Sequence, residues 1–257
     1  MDQKHRAQSF AQLHRKGDPV IIYNIWDAGT ARAVANAGAK ALATGSWSVA
    51  AAHGFSDGEK LPLSSLLETV RSIVAITELP LSVDFEGAYA EEPASVAANV
   101  AKLMETGAIG INFEDQIVNG NGVYAIEKQG ARIRAIREMA EHRGIPLFIN
   151  ARTDLFLLEG DTSKHGGLLD EAIERARAYA TAGGSGFFAP GLIDPGLIEK
   201  LCEASPLPVN LMMQIGAPDS ATLAKLGVAR ISYGPGPYRV MMEKLREAAA
   251  AAFAAAR

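Results

Sequence analysis

The chain has 257 residues, with 25 Lys plus Arg against 29 Asp plus Glu, and the resulting formal charge of -4 excludes a general attraction to nucleic acid or to an anionic membrane surface. With 48% hydrophobic and 21% charged residues, it has ample material for a packed core and is not compositionally a disordered chain. Its single cysteine, Cys202, rules out an intramolecular disulfide and a zinc site built from several thiolates. The first eighteen residues are charged throughout, and no later run approaches the roughly eighteen apolar residues of a membrane span. A soluble, cytoplasmic protein is expected.

A polar amphipathic start predicts a helix over about 3–16, followed by an apolar run from Pro19 to Trp26 that ends at Asp27. Asp27 is placed to cap a helix over Ala28 to Ala37. Strand-like runs recur near Ala39 to Thr44, Leu79 to Asp84, Ala108 to Phe113, Pro146 to Asn150, Gly186 to Ala189, Pro208 to Met212 and Ala229 to Ser232. Each is followed by a longer helical pattern, which makes eight strand-then-helix units. Helix stops such as Asn36-Ala37-Gly38 and Glu105-Thr106-Gly107 announce several of the strands.

Apolar runs with little polar alternation suit parallel strands covered by helices on the outside. Eight such units in about 250 residues predict a (β/α)8 TIM barrel. An open doubly wound sheet is the alternative, but Trp26-Asp27-Ala28-Gly29-Thr30 has only one glycine and lacks the expected phosphate fingerprint. No linker divides the sequence, so one barrel domain over 1–257 is expected. The alanine-rich end, Ala248 to Arg257, continues a helical pattern from Tyr238 to Glu247.

In a barrel the side chains available for chemistry lie past the C-terminal ends of the strands. The third strand ends in Asp84-Phe85-Glu86 and the fourth in Asn112-Phe113-Glu114-Asp115. Two-residue spacing on extended backbone puts Asp84 and Glu86 on one side, and neighbouring strands are about 5 Å apart. Asp84, Glu86 and Glu114 are thus candidate ligands for a hard divalent cation, Mg²⁺ or alternatively Mn²⁺, which would relieve their mutual repulsion. Asp57, in the long segment after the second strand, is a fourth acid, although Ser56-Asp57-Gly58-Glu59 is also ordinary turn chemistry. The fifth strand ends at Arg152-Thr153-Asp154, where a guanidinium can bind a carboxylate, steady a developing enolate, or simply pair with Asp154 or Glu114. No lysine or histidine stands at a strand end, which argues against a Schiff-base aldolase or a polyhistidine zinc site. Cys202, in a helical pattern, reads as a packed core thiol.

Asp27-Ala28, Gly45-Ser46-Trp47, Asp57, Asp84-Phe85-Glu86, Asn112-Phe113-Glu114-Asp115 and Asn150-Ala151-Arg152-Thr153-Asp154, in this order, resemble the isocitrate lyase and phosphoenolpyruvate mutase superfamily over most of the chain. The resemblance implies a Mg²⁺-dependent barrel that makes or breaks C-C or P-C bonds in 2-oxo or 2-hydroxy acids through an enolate. By resemblance, Asp84, Glu86 and Glu114 bind the metal, partly through water, and Asp57 is the acid beside them. Arg152 contacts the substrate, Ser46 and Trp47 clamp its carboxylate, and Trp26 is a further substrate contact.

The Lys-Lys-Cys-Gly-His loop of isocitrate and methylisocitrate lyases is replaced here by Gln116-Ile117-Val118-Asn119-Gly120-Asn121-Gly122-Val123-Tyr124, within an expected lid over about 116–130. Asn121 or Asn119 is the candidate for the polar lid side chain that phosphonopyruvate-acting relatives use, although the glycines and asparagines here equally suit a plain exposed loop. Glu86 stands where several relatives have Asp, and Phe188-Ala189-Pro190-Gly191 lacks the histidine expected after the sixth strand of the mutase. The function this implies is a Mg²⁺-dependent lyase that cleaves a C-C bond of a small 2-oxo or 2-hydroxy dicarboxylate through a metal-bound enolate, as in oxaloacetate decarboxylation. Arg152, Asp57 and Glu114 are the expected catalytic groups. The alternatives are phosphonopyruvate hydrolase or mutase chemistry and, more remotely, a noncatalytic metal- and anion-binding barrel. The resemblance implies a homo-oligomer, dimer or tetramer, in which Met241, Met242, Leu245 and Phe253 are the apolar stripe of a C-terminal helix exchanged between copies; the alternative is that this stripe packs on its own barrel.

Overall fold

The computed structural model describes residues 2–255. Eight parallel strands are laid down in it: β1 (Val20–Ile22), β2 (Leu42–Ala43), β3 (Leu81–Asp84), β4 (Gly110–Glu114), β5 (Phe148–Arg152), β6 (Gly186–Phe188), β7 (Val209–Met212) and β8 (Arg230–Ser232). Their hydrogen-bonded order is β1-β8-β7-β6-β5-β4-β3-β2. The seam between β1 and β2 is bridged just past both strands by a parallel pairing of Ile25 with Thr44. The molecule is therefore a (β/α)8 barrel, with its first and last strands side by side as the eightfold alternation requires.

Helices alternate with the strands on the outside. They are α1 (Gln3–Gln12), α2 (Ala28–Asn36), α3 (Ser46–Ala52), α4 (Leu63–Val74), α5 (Pro93–Met104), α6 (Ile126–His142), α7 (Leu155–Leu158), α8 (Leu169–Thr181), α9 (Pro195–Ala204), α10 (Ser220–Lys225) and α11 (Gly236–Ala255). Asp27 starts α2 with a reciprocal capping box: its carboxylate accepts from the Thr30 N-H, and the Thr30 hydroxyl accepts from the Asp27 N-H. Asp194 and Asp219 cap α9 and α10 in the same way through one bond each. Cys202 is buried on α9, and burial pushes its thiol up to about 12, as befits a packing residue.

The main core lies between sheet and helices, with side chains such as Val83, Ile111, Ile149, Phe187 and Ile231 at or near 0% exposure. A second cluster of Ala7, Phe10, Val20, Ile22, Ala41, Ala43, Ile109 and Phe148 closes the end of the barrel beneath α1. The Phe10 and Phe148 rings meet edge to face at 5.1 Å. The helix expected over 3–16 ends at Gln12, because the chain turns through a short antiparallel bridge between Arg15 and Asp18 on its way to β1.

Two registers matter for the site. Asp84 pairs with Asn112 and Asn112 with Asn150, while Glu114 pairs directly with Arg152. Side chains at matching positions of adjacent strands point to the same side of the sheet. This interior row is polar: the Asn150 amide donates to Asn112 Oδ1 at 2.9 Å. Gly186, next in the row, has to be glycine, since a Cβ there would lie 2.8 Å from Asn150 Oδ1.

Candidate active site

At the C-terminal end of the barrel a cavity of about 620 Å³ is lined on one side by Ser46, Asp57, Asp84, Asn112 and Arg152. Arg152, at the end of β5, is held in a fork. Its Nε and Nη2 donate to the two carboxylate oxygens of Asp154 at 2.5 and 2.8 Å. Its Nη1 lies 3.0 Å from Glu114 Oε2 and 3.9 Å from Asp84 Oδ1. Burial alone would lower its pKa, but Asp154, Glu114 and Asp84 outweigh it and keep the guanidinium charged. The ion pairs with Asp154 and Glu114 that the sequence offered as a structural alternative both form, and Arg152 still faces the cavity.

Asp84 is fixed from three directions. The Ser46 N-H donates to its Oδ2 at 3.0 Å, the Thr44 hydroxyl accepts from its N-H at 3.0 Å, and the Asn112 amide approaches Oδ1 at 3.5 Å. The Ser46 N-H, expected to clamp a substrate carboxylate, is thus committed to Asp84. Trp47 lines the cavity, with Arg239 over its ring at 4.8 Å. Among the described residues Arg239 has no ion-pair partner.

Glu86 is not on the extended strand that the spacing predicted. β3 ends at Asp84, and Glu86, Ala88 and Tyr89 all adopt left-handed backbone, with φ of 50°, 65° and 55°, an arrangement that costs about 1–2 kcal/mol per residue unless its surroundings enforce it. The enforcing groups are Glu59 and Arg132. Glu86 Oε2 accepts from the Glu59 N-H at 2.6 Å, and Glu59 Oε1 accepts from the Tyr89 N-H at 2.7 Å. Arg132, buried between the rings of Phe113 and Tyr124, donates to the carbonyls of Gly87 and Ala90 at 2.7 and 2.9 Å. Both residues were missed in the sequence. Glu59 looked like part of a turn, and Arg132, in the middle of α6, was not singled out.

The acids behind the cavity wall are short of positive charge. Burial, then Asp57, then Asp84, push Glu86 up to about 8. Burial and then Asp84 raise Asp57. Burial raises Glu114 well above the usual carboxylate range against the opposing pull of Arg152. Arg230, buried in the barrel with its guanidinium 5.9 Å from the Phe10 ring, acts on Asp84, and burial lowers it to about 10, while Arg132 acts on Glu59 and Glu114. Asp57, Glu59, Asp84, Glu86, Glu114 and Asp154 therefore outnumber Arg132, Arg152 and Arg230.

An excess of buried carboxylate oxygen fits a hard divalent cation. The fit is not that of a compact ligand set. Among the described residues no three His, Cys, Asp or Glu side chains lie close enough to hold an ion directly. Asp84 alone of the three expected ligands lines the cavity, while Glu86 and Glu114 are 6% and 5% exposed behind it. Water would have to complete such a site.

Two expected substrate contacts are not brought to the cavity. Trp26 is buried in the core, edge-on to Tyr238 at 4.9 Å, and does not line the cavity. Asn121 is exposed at the tip of a short turn in which Gln116 pairs with Val123 and the Ile117 N-H donates to Gly122 O at 3.0 Å. Only 116–125 of the segment expected as a lid lies outside a helix, since α6 begins at Ile126 and buries Gln129 and Gly130.

Behind Arg152 stands a further support absent from the sequence reading. Asp115 Oδ1 accepts from the Asp154 N-H at 3.0 Å, and its Oδ2 accepts from Arg175 Nη1 at 3.1 Å and from the Tyr179 hydroxyl at 2.8 Å. The chain of contacts runs from α8 through Asp115 to Asp154 and so to Arg152.

This geometry defines a class: a parallel (β/α)8 barrel whose mouth gathers carboxylates around one buried, forked guanidinium. Within that class the chain belongs to the phosphoenolpyruvate phosphomutase family, whose family model matches residues 10–253, and so to the superfamily of mutases and lyases that includes isocitrate lyase. A candidate phosphonomutase of Burkholderia cenocepacia is 47% identical, with a TM-score of 0.93 over 95% of this chain and 97% of that one. A probable 2-methylisocitrate lyase of Corynebacterium glutamicum is 30% identical, over 85% of this chain and 71% of its own length. A phosphonopyruvate hydrolase solved with oxalate and Mg²⁺ shares the fold, at 21% identity and a TM-score of 0.82 over 96% of this chain and 85% of its own.

Proposed function

We propose that the protein is a Mg²⁺-dependent lyase that cleaves a C-C bond of a small 2-oxo or 2-hydroxy dicarboxylate, with oxaloacetate decarboxylation as the simplest case. One observation carries this reading. Of the side chains lining the cavity, those that titrate are Asp57, Asp84, Arg152, Tyr233 and Arg239, so no cysteine, histidine or lysine stands there among the described residues to begin the reaction by removing a proton. Loss of CO₂ from a 2-oxo acid needs no such base, because the electrons of the breaking bond pass into the 2-oxo group.

Asp84, with Glu86 and Glu114 through water, would hold Mg²⁺, or Mn²⁺ in its place, which supplies positive charge at the 2-oxo oxygen and its neighbouring carboxylate. Arg152 stabilises the enolate negative charge as it develops, from a position that Asp154 and Glu114 fix before the substrate arrives. Asp57, whose burial and proximity to Asp84 favour its protonated form, donates the proton that quenches the enolate carbon. Arg239, resting on Trp47 and unpaired, receives the second carboxylate of the substrate.

A second reading, P-C bond hydrolysis or rearrangement of phosphonopyruvate, draws support from the matching family and from the 47% identical relative. Pyruvate release from oxaloacetate, phosphonopyruvate and 2-methylisocitrate, each with Mg²⁺ and with EDTA, decides between the two. Metal-dependent turnover of oxaloacetate that disappears in Asp84→Ala is the expected result. Turnover of phosphonopyruvate alone overturns the C-C assignment.

A further inference from the structure

The cavity lining is uneven. Ser46, Asp57, Asp84, Asn112 and Arg152 come from β3, β4, β5 and the segments after β2, and Asn24, Ser232, Tyr233 and Arg239 add polar groups from the β1 and β8 side, but between these two stretches stands a second, apolar wall of Leu157 of α7, Phe188 of β6, Pro190, Met212 of β7, and Met213 and Ile215 just beyond it. This second wall offers almost nothing to a polar group. Its one amide, Gln214, already donates to Gly191 O at 3.2 Å. Leu157 is 41% exposed and Ile215 fully exposed, so apolar surface stands uncovered in continuity with the head-group site. Methionine side chains such as Met212 and Met213 adapt their shape to whatever covers them.

The size of the cavity points the same way. Oxaloacetate has nine heavy atoms, and at roughly the 30 Å³ that a water occupies in the liquid it takes up about 270 Å³. That is less than half of the 620 Å³ present.

We infer that the wall of Leu157, Phe188, Pro190, Met212, Met213 and Ile215 is a subsite for a hydrocarbon substituent, so that the substrate is a 2-oxo or 2-hydroxy acid carrying an aliphatic or aromatic group on C3. The inference rests on the reading of the acid wall as the site of the 2-oxo acid head. With the head at Asp84 and Arg152, a group on C3 is within reach of β6, whose Phe188 pairs with Arg152 on the neighbouring strand, and of β7 beyond it. Burying it there covers the exposed apolar side chains and adds specificity that the charged wall cannot supply.

N-alkyl oxamates test this, because they keep an oxalate-like head and extend only the tail. Binding of oxalate and of N-methyl, N-propyl, N-butyl and N-benzyl oxamate to the full chain with Mg²⁺ is measured by titration calorimetry. Affinity is expected to rise about fourfold for each buried methylene. That dependence on chain length is expected to collapse in Ile215→Asp, a substitution at an exposed position that the fold tolerates, and in Met213→Gln. A flat series with oxalate still bound, or a slope unaffected by both variants, overturns the subsite. Failure of oxalate itself to bind with Mg²⁺ overturns the head-group reading beneath it.

Discussion

Arg152 shows how much of the site depends on the shape of one side chain. Three of its nitrogens are shared between Asp154 and Glu114, a division that a planar fork makes and a point-charge ammonium does not. Arg152→Lys is expected to keep the fold and lower kcat by about a hundredfold or more, the cost of one misplaced charge-stabilising group, as read by steady-state pyruvate release. Arg175 acts at one remove. Replacing it with Met leaves Asp115, which is 0% exposed, without its counter-charge, and breaking a buried pair from one side costs about 3–5 kcal/mol. Urea denaturation is expected to show that loss. A second expectation distinguishes support of the site from mere stability: since Asp115 holds the Asp154 N-H, kcat is expected to fall even where the variant is fully folded. Arg132→Met strips two carbonyls of the strained 86–89 segment of their donor, with an expected cost of about 2–4 kcal/mol from two unsatisfied buried groups.

At the level of elements, α1 is the plug of the barrel, and its attachment depends on pH. His14, just beyond α1, stacks on Phe148 with centroids 4.1 Å apart. Its Nδ1 bonds Phe10 O at 2.9 Å, while Nε2 is buried without a partner. Burial, reinforced by the charge of Arg230, lowers its pKa to about 3. The folded state therefore keeps His14 neutral over a range in which the unfolded chain, with an ordinary value of about 6.5, takes up a proton. Stability is present above that value and is lost as pH falls through it towards 3, by about 2 kcal/mol at pH 5. The drop in Tm between pH 7 and pH 5 is expected to be smaller in His14→Gln than in the wild type. A different element, β6, is constrained by its neighbour: Gly186→Ala would drive a methyl group against Asn150 and disturb the amide row that ends at Asp84.

On the scale of the whole molecule, α11 carries Val240, Met241, Met242, Leu245 and Phe253 at 38–72% exposure, an apolar stripe along a twenty-residue helix that its own barrel leaves uncovered. A surface of that kind is expected to be covered in solution by another copy of the chain. Light scattering is expected to give a dimer or tetramer, and Leu245→Glu to lower the assembly state without loss of secondary structure. No helix among the described residues is long and apolar enough to cross a membrane.

The barrel and most of its mouth are written in local features of the chain. Apolar runs repeated eight times, the helix stops before strands and the Asp27 cap are local signals, readable wherever they occur. Strand ends are also local, so Asp84, Glu114 and Arg152 were legible, and the Glu114-Arg152 register brought together groups that the alternation alone had placed at one end of the barrel. Which groups hold those residues in place depends on how the chain folds back on itself. Glu59, Arg132 and Arg175 act across tens of residues through hydrogen bonds, and nothing in their own neighbourhoods distinguishes them from turn or helix-surface residues; Asp115 stood in a strand-end motif, but its bond to the Asp154 N-H did not show there. Glu86 left its strand for left-handed backbone because distant donors and acceptors enforce it, while Trp26 and Asn121 belong to the core and to an exposed turn. Periodicity records which way a side chain leaves its own element, whereas a site is made by side chains that meet after the chain has closed on itself.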